Sequence, residues 1–198
     1  MANHVNSYCV VKANQAGMQK FDSIMERIKR DPDQYEKSLG FAFFDSVEEF
    51  TLDVMIDSIG AKWAYATDIT EDSLAVYSAW SYPEVFYEYL AQEIGQVDPH
   101  VHLQVTFEDE MPNFIGVSVF DSRGIYDCVE LDGDEFHQHI RSIDAEIAAQ
   151  YDEENEEYSE LGWEYVSESQ WEYASDWQHK VLQTMMIGML GDDYFDKL

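Results

Sequence analysis

The chain has 198 residues, and 41 Asp and Glu against 11 Lys and Arg give it a formal net charge of −30 at neutral pH. This balance excludes a broad nucleic-acid-binding face, because binding to a phosphate backbone works by exchanging its counterions for Lys and Arg. A hydrophobic content of 45% with 15% aromatics is too rich in core-forming side chains for an acidic disordered chain, and the length suits one domain, or one domain with an elaborate extension.

The first residues carry no basic segment followed by an apolar one, and no apolar run approaches the ~18 residues of a membrane span, so a soluble cytoplasmic protein is expected. Cys9 and Cys128 both fall in strand-like runs. Buried thiols in a reducing compartment are the expectation; a disulfide between them would need an oxidising one, and neither has zinc-ligand partners at short spacing.

Residues 6–13 read as a strand of small, β-branched and aromatic side chains. Residues 15–29 follow as an amphipathic helix on Met18, Phe21, Ile24, Met25 and Ile28, and Asp31, Pro32 and Asp33 end it. A second helix is predicted over 46–59 from Val47, Phe50, Val54, Met55 and Ile59, with Ser46 and Glu49 as a capping box and Gly60 as its stop. Residues 62–67 and 73–80 form a hairpin across the turn at 68–72. Pro83 opens a helix whose apolar face is Val85, Phe86, Tyr89, Leu90 and Ile94. Residues 100–108 alternate, with Val101, Leu103, Val105 and Phe107 on one face and His100, His102, Gln104 and Thr106 on the other. Residues 114–120 and 125–131 make two further strands, turned at 121–124.

From residue 132 the pattern becomes helical. One helix is predicted over 134–150 on Phe136, Ile140, Ile143 and Ile147. Residues 152–160 hold six acidic side chains and no basic one and read as a solvated loop or frayed helix end, since like charges three or four apart weaken a helix. A terminal helix over 168–190 follows, with Trp171, Ala174, Trp177, Val181, Met185 and Met189 as its stripe. The fold class is α+β: an antiparallel sheet packed by helices over 1–131, with an acidic helical extension over 132–198 packed on it.

Ile59, Gly60, Ala61, Lys62 and Trp63, then 77–83 (Tyr-Ser-Ala-Trp-Ser-Tyr-Pro), then 102–107 followed by 110–116 (Glu-Met-Pro-Asn-Phe-Ile-Gly), fall in an order that resembles the YubB-like proteins of phages and mobile elements. The opening 1–6 (Met-Ala-Asn-His-Val-Asn), with a strand and helix after it, fits the same resemblance, which covers residues 1–120. It implies a ferredoxin-like domain and a phage-type origin, but no established chemistry, so no catalytic residue is carried over. The acidic Glu108, Asp109 and Glu110 depart from that family's Gly- and Pro-rich connection, and 132–198 has no counterpart in it.

Glu130, Asp132, Asp134, Glu135, His137 and His139 are dense enough to suggest a divalent-metal site, and a metal-dependent hydrolase using Glu130, Asp132, Asp134 and His137 is one alternative. Two histidines two apart diverge on a helix, so an acidic helix start is preferred. His100 and His102 share a predicted strand face with no third ligand. No nucleophile motif and no glycine-rich phosphate loop is present. The cluster Lys20, Arg27, Lys29 and Arg30 reads as cations at a helix C-terminus. No catalytic residue, metal or cofactor is expected.

The charge is the most informative feature. Residues 1–30 carry +3, whereas 151–198 carry −11. Thirty charges correspond to about 51 Å of duplex at one per ~1.7 Å, comparable with the ~40 Å diameter expected of such a chain. The expected function is therefore a non-enzymatic, acidic, phage-type interaction protein that mimics nucleic acid and blocks a basic surface of a host defence or transcription protein. Asp152, Glu153, Glu154, Glu156, Glu157 and Glu160 form the contact, with Trp163 and Tyr165 as anchors. Neither nucleic acid nor membrane is a direct partner. A role for the acidity in solubility or in adaptation to a saline habitat is the competing explanation, and a homo-oligomer swapping the terminal helix through Trp171, Trp177 and Met185 is a structural alternative.

Overall fold

The computed structural model describes residues 3–29, 38–45, 51–110, 113–155 and 157–191. Six strands form one antiparallel sheet in the order β2-β3-β1-β4-β5-β6. The elements of this part are β1 (His4–Lys12), α1 (Gln15–Ile28), a short 3-10 helix (Leu39–Ala42), α2 (Leu52–Ile59), β2 (Lys62–Ile69), β3 (Ser73–Ala79), α3 (Glu84–Gly95), β4 (His102–Asp109), β5 (Phe114–Asp121) and β6 (Gly124–Asp132). The chain then forms α4 (Gly133–Ile143), α5 (Ala145–Ala148), the two-residue strands β7 (Tyr151–Asp152) and β8 (Glu157–Tyr158), and α6 (Glu160–Leu190). Two compact units result: residues 1–111 with 116–129, and residues 112–115 with 130–198.

In the first unit β1 is an interior strand, paired with β3 on one side and β4 on the other. Its alternation buries Val5, Ser7, Cys9 and Val11 on one face, and Cys9 stands opposite Leu74 of β3 and Val105 of β4. The Asn14 side chain accepts from the Ala16 and Gly17 N–H groups and so caps α1, satisfying donors with no intrahelical acceptor. Phe21, Ile24, Met25 and Ile28 of α1 are buried. Tyr87 of α3 is fully buried, and its hydroxyl meets Ser7 Oγ at 2.8 Å, which keeps a polar group in the core satisfied. Tyr82 stacks on Phe107 with ring centres 3.9 Å apart. Gly116 leaves room for that Phe107 ring, because a Cβ there would lie 2.1 Å from Cζ.

Several boundaries differ from the sequence expectation. α2 begins at Leu52, and Thr51 caps it by accepting from the Val54 N–H; the proposed capping box at 46–49 and the stop at 31–33 lie outside the described residues. Gly60 ends α2 with φ of +86°, the left-handed geometry glycine adopts without penalty. In α3 the buried face is Phe86, Tyr87, Leu90, Ala91 and Ile94, while Val85 is exposed and Tyr89 half-buried. His100 sits in the turn before β4 and only His102 is in the strand, so the two do not form the predicted histidine face. Cys9 is buried, and burial pushes its thiol pKa up. Cys128 is instead exposed on β6, where the Ser118 hydroxyl donates to its sulfur at 3.1 Å.

In the second unit the predicted helix 134–150 is broken at Asp144. That residue is extended, with φ −120° and ψ 106°, and its side chain accepts from the Glu146 and Ile147 N–H groups, starting α5. An aspartate that can cap competes with helix continuation, which periodicity alone does not register. α4 carries a capping box between Asp132 and Glu135. The terminal helix is longer than expected, 31 residues from Glu160. Ala174, Trp177, Met185 and Met186 are buried on it, while Trp171 is exposed.

Candidate functional site

The described residues of the acidic stretch form a turn between β7 and β8 that leads into α6. Tyr151 pairs with Tyr158 and Asp152 with Glu157, making a small hairpin. The Asp152 carboxylate accepts from the Glu154 N–H at 2.9 Å and from the Asn155 side-chain amide at 2.7 Å. These hydrogen bonds, the Asn155 side chain first, hold the Asp152 carboxyl below its usual range. Asp152 is therefore a turn-forming residue that is exposed, as Glu153, Glu154 and Glu157 are. Glu156 lies outside the described residues.

Aromatic rings fix this turn. The Arg141 guanidinium lies over Tyr151, Arg141 Nη1 donates to the Tyr158 hydroxyl, and Tyr158 packs edge-on against Tyr151 and Trp163, each at 5.1 Å between ring centres. His137, considered above as a metal ligand, belongs to the same cluster, 5.6 Å from both Tyr158 and Trp163. Burial and the Arg141 charge lower the His137 pKa. Trp163 keeps 51% of its surface exposed while held by these rings. Tyr165 is half-buried and lines a cavity of about 200 Å3 with Asp144, Glu146, Ile147, Glu168, Ser169 and Tyr173. The Tyr173 hydroxyl donates to Asp144 in its wall, and this bond is the main reason the Asp144 carboxyl titrates below its usual range.

Ser159 caps α6, its Oγ accepting from the Gly162 N–H at 3.1 Å. The first helical residue is thus Glu160, at the end where the helix dipole favours a carboxylate. From there Glu160, Glu164, Glu168, Glu172 and Asp176 recur at every fourth position, and all five are exposed. At 1.5 Å per residue successive members are about 6 Å apart along the axis and the series spans about 24 Å. Each step turns about 40° in the right-handed sense, since four residues exceed one 3.6-residue turn. Among the described residues, no carboxylate between residues 152 and 176 makes an ion pair.

The acidic run expected to be a loop ends at Glu160, and Glu164, Glu168, Glu172 and Asp176 lie beyond it. The missed signal was a four-residue carboxylate period, concealed by starting the helix at 168. The alternative constellations are not assembled as chemistry would need. No three His, Cys, Asp or Glu side chains among the described residues are placed to hold a metal ion, and Asp132 is engaged in its capping box. In the basic cluster, Lys20 pairs with Glu93 at 2.7 Å and Lys29 with Glu26 at 3.1 Å; Arg30 lies outside the described residues. No described helix is long and apolar enough to cross a membrane. The chain matches no family model, no curated protein and no solved structure.

Proposed function

We propose that this chain is a non-enzymatic interaction protein whose acidic surface in the second unit occupies a basic, nucleic-acid-binding surface of another protein. The observation that carries the reading is the five-carboxylate series on α6. It winds in the same hand as a B-form phosphate strand, which turns about 36° for each 3.4 Å of rise. Its charges are more widely spaced than phosphates, and Glu153, Glu154 and Glu157 of the hairpin add to them.

The series is costly to keep. It contains four like-charge pairs at four-residue spacing, each destabilising a helix by roughly 0.2–0.5 kcal/mol, or about 1–2 kcal/mol together. Acidity retained only for solubility has no need of this four-residue spacing, since carboxylates dispersed over the surface serve it without the like-charge cost. Trp163, held by its ring neighbours yet half exposed, supplies a rigid aromatic anchor beside the charges.

The reading extends to the first unit. The strand order β2-β3-β1-β4, with α1 following β1 and α3 joining β3 to β4, supports a ferredoxin-like core to which β5 and β6 are added. With the motif order described above it supports a phage or mobile-element origin, and hence action in the cytoplasm of an infected cell against a defence or transcription protein.

Affinity capture from host lysate on the immobilised chain, at 50 mM and at 500 mM salt, tests the proposal. Nucleic-acid-binding proteins retained at low salt and released at high salt are expected. Retention only of proteins that are salt-insensitive and bind no nucleic acid would refute it.

A further inference from the structure

The two edges of the six-stranded sheet are built differently. At one edge, β2 loses register with β3 twice, between Lys62 and Tyr65 and between Ala66 and Asp68, and Trp63 within the first irregularity has φ of 49°. Such irregularities turn an edge away from a second chain. At the other edge, β6 is continuous for nine residues, against a usual ~5–6. Its residues from 125 to 130 are all exposed, including Ile125 at 43%, Tyr126 at 39% and Val129 at 36%. A long, exposed strand of this kind with apolar side chains is a template for pairing.

We propose that β6 is a self-association edge, pairing antiparallel with β6 of a second copy about a two-fold axis through Cys128. In such an isologous pair, side chains directly opposite share a face, so the axis must pass through a residue position. Centred on Cys128, Ile125 faces Leu131, Tyr126 faces Glu130, Asp127 faces Val129 and Gly124 faces Asp132. All nine residues pair, and every acidic side chain meets an uncharged one. Centring on Asp127 or Glu130 sets a carboxylate against its own copy, which is destabilising. Centring on Val129 loses the Ile125–Leu131 pairs. This self-complementarity of the strand argues for a second copy as the occupant in preference to an unrelated strand.

The association has an identifying salt dependence. Each copy carries −30, so raising ionic strength screens their repulsion and tightens the dimer, while it weakens binding to a basic partner. The two proposals therefore fail separately.

Sedimentation equilibrium of the full chain at 0.15 M and 0.5 M salt reads the monomer–dimer constant. Val129→Asp creates two facing Asp pairs and should weaken the dimer at least tenfold, whereas Val129→Lys places Lys opposite Asp127 and should tighten it severalfold. A tighter dimer with an unchanged melting temperature and no species larger than two copies separates this gain from misfolding, which produces open-ended association. Opposed Cα atoms in such a pair lie about 4.5–5.5 Å apart, within the reach of a disulfide. Diamide, which takes up the two electrons and two protons the thiols release, should thus cross-link the copies through Cys128, and Cys128→Ser should abolish the cross-link while leaving the dimer. A chain that stays monomeric at both salt concentrations, a dimer indifferent to Val129→Asp, or one weakened by Val129→Lys would overturn the proposal.

Discussion

The guanidinium carbon of Arg141 lies 3.8 Å from the centre of the Tyr151 ring, and the same side chain donates to the Tyr158 hydroxyl at 3.1 Å. One cation from α4 thereby holds both strands of the acidic hairpin. Cation–π contacts contribute about 0.5–2 kcal/mol according to their desolvation, and a net hydrogen bond about 1 kcal/mol. Arg141→Ala should cost about 1–3 kcal/mol in urea denaturation, and amide exchange across the hairpin should accelerate by more than that of α6. Arg141→Lys should recover only part of the loss, because an ammonium lacks the planar face that lies over Tyr151.

Changing Glu164, Glu168 and Glu172 together to Gln interrupts all four like-charge pairs of the α6 series. Stability should rise by about 1–2 kcal/mol at low salt, with a smaller gain at high salt, while affinity for a basic partner falls at least tenfold, about 1.4 kcal/mol. Opposite signs for stability and binding mark residues kept for interaction. Thermal denaturation and a binding titration on the same preparation read both quantities.

His137 is neutral in both folded and unfolded chains well above pH 6.5, its ordinary value. Because its folded pKa is lowered, the unfolded chain binds the proton first as pH drops below 6.5. Stability is therefore lost from that point down to the folded pKa, then levels off. Falling pH also relieves carboxylate repulsion, with the opposite sign. The difference between the parent and His137→Gln isolates the histidine: the stability advantage of the parent should shrink between pH 7.5 and pH 5.5. A constant difference in urea denaturation across that interval would show that His137 is not shifted.

Gly116→Ala should be among the more damaging single changes in the sheet. The new methyl would overlap the Phe107 ring, which is itself stacked on Tyr82. Overpacking in a closed core costs about 1–3 kcal/mol. Gly116→Ala with Phe107→Leu should recover much of the loss if the clash is the cause, and calorimetric melting of the three variants decides it.

Much of the fold was legible because period and punctuation agreed. The strand–helix start, the hairpin before Pro83 and the Gly60 stop each combine an apolar pattern with a residue whose backbone preference marks a boundary. Asp144 was not legible, since an aspartate inside a helical period looks like any exposed polar residue until its carboxylate is seen to cap α5. Tyr87 is absent from the apolar face expected for α3, which took Val85 and Tyr89 instead; its burial is made tolerable by the hydrogen bond between its hydroxyl and Ser7 across the core. The acidic run at 152–160 and the aromatic Trp163 and Tyr165 beside it could be picked out from composition. The ladder beyond them depended on where α6 begins, which Ser159 decides through one capping hydrogen bond.

The central claim is that the carboxylates of the hairpin and α6 stand where nucleic acid would stand on a basic partner. Competition measures this most directly: a partner captured on the immobilised chain is challenged with a 24-base-pair duplex DNA at fixed ionic strength. Displacement in proportion to duplex concentration, at lower duplex concentrations for the Glu164→Gln, Glu168→Gln, Glu172→Gln variant than for the parent, is the expected result. Simultaneous binding of duplex and chain to the same partner, with no displacement at saturating duplex, would contradict it.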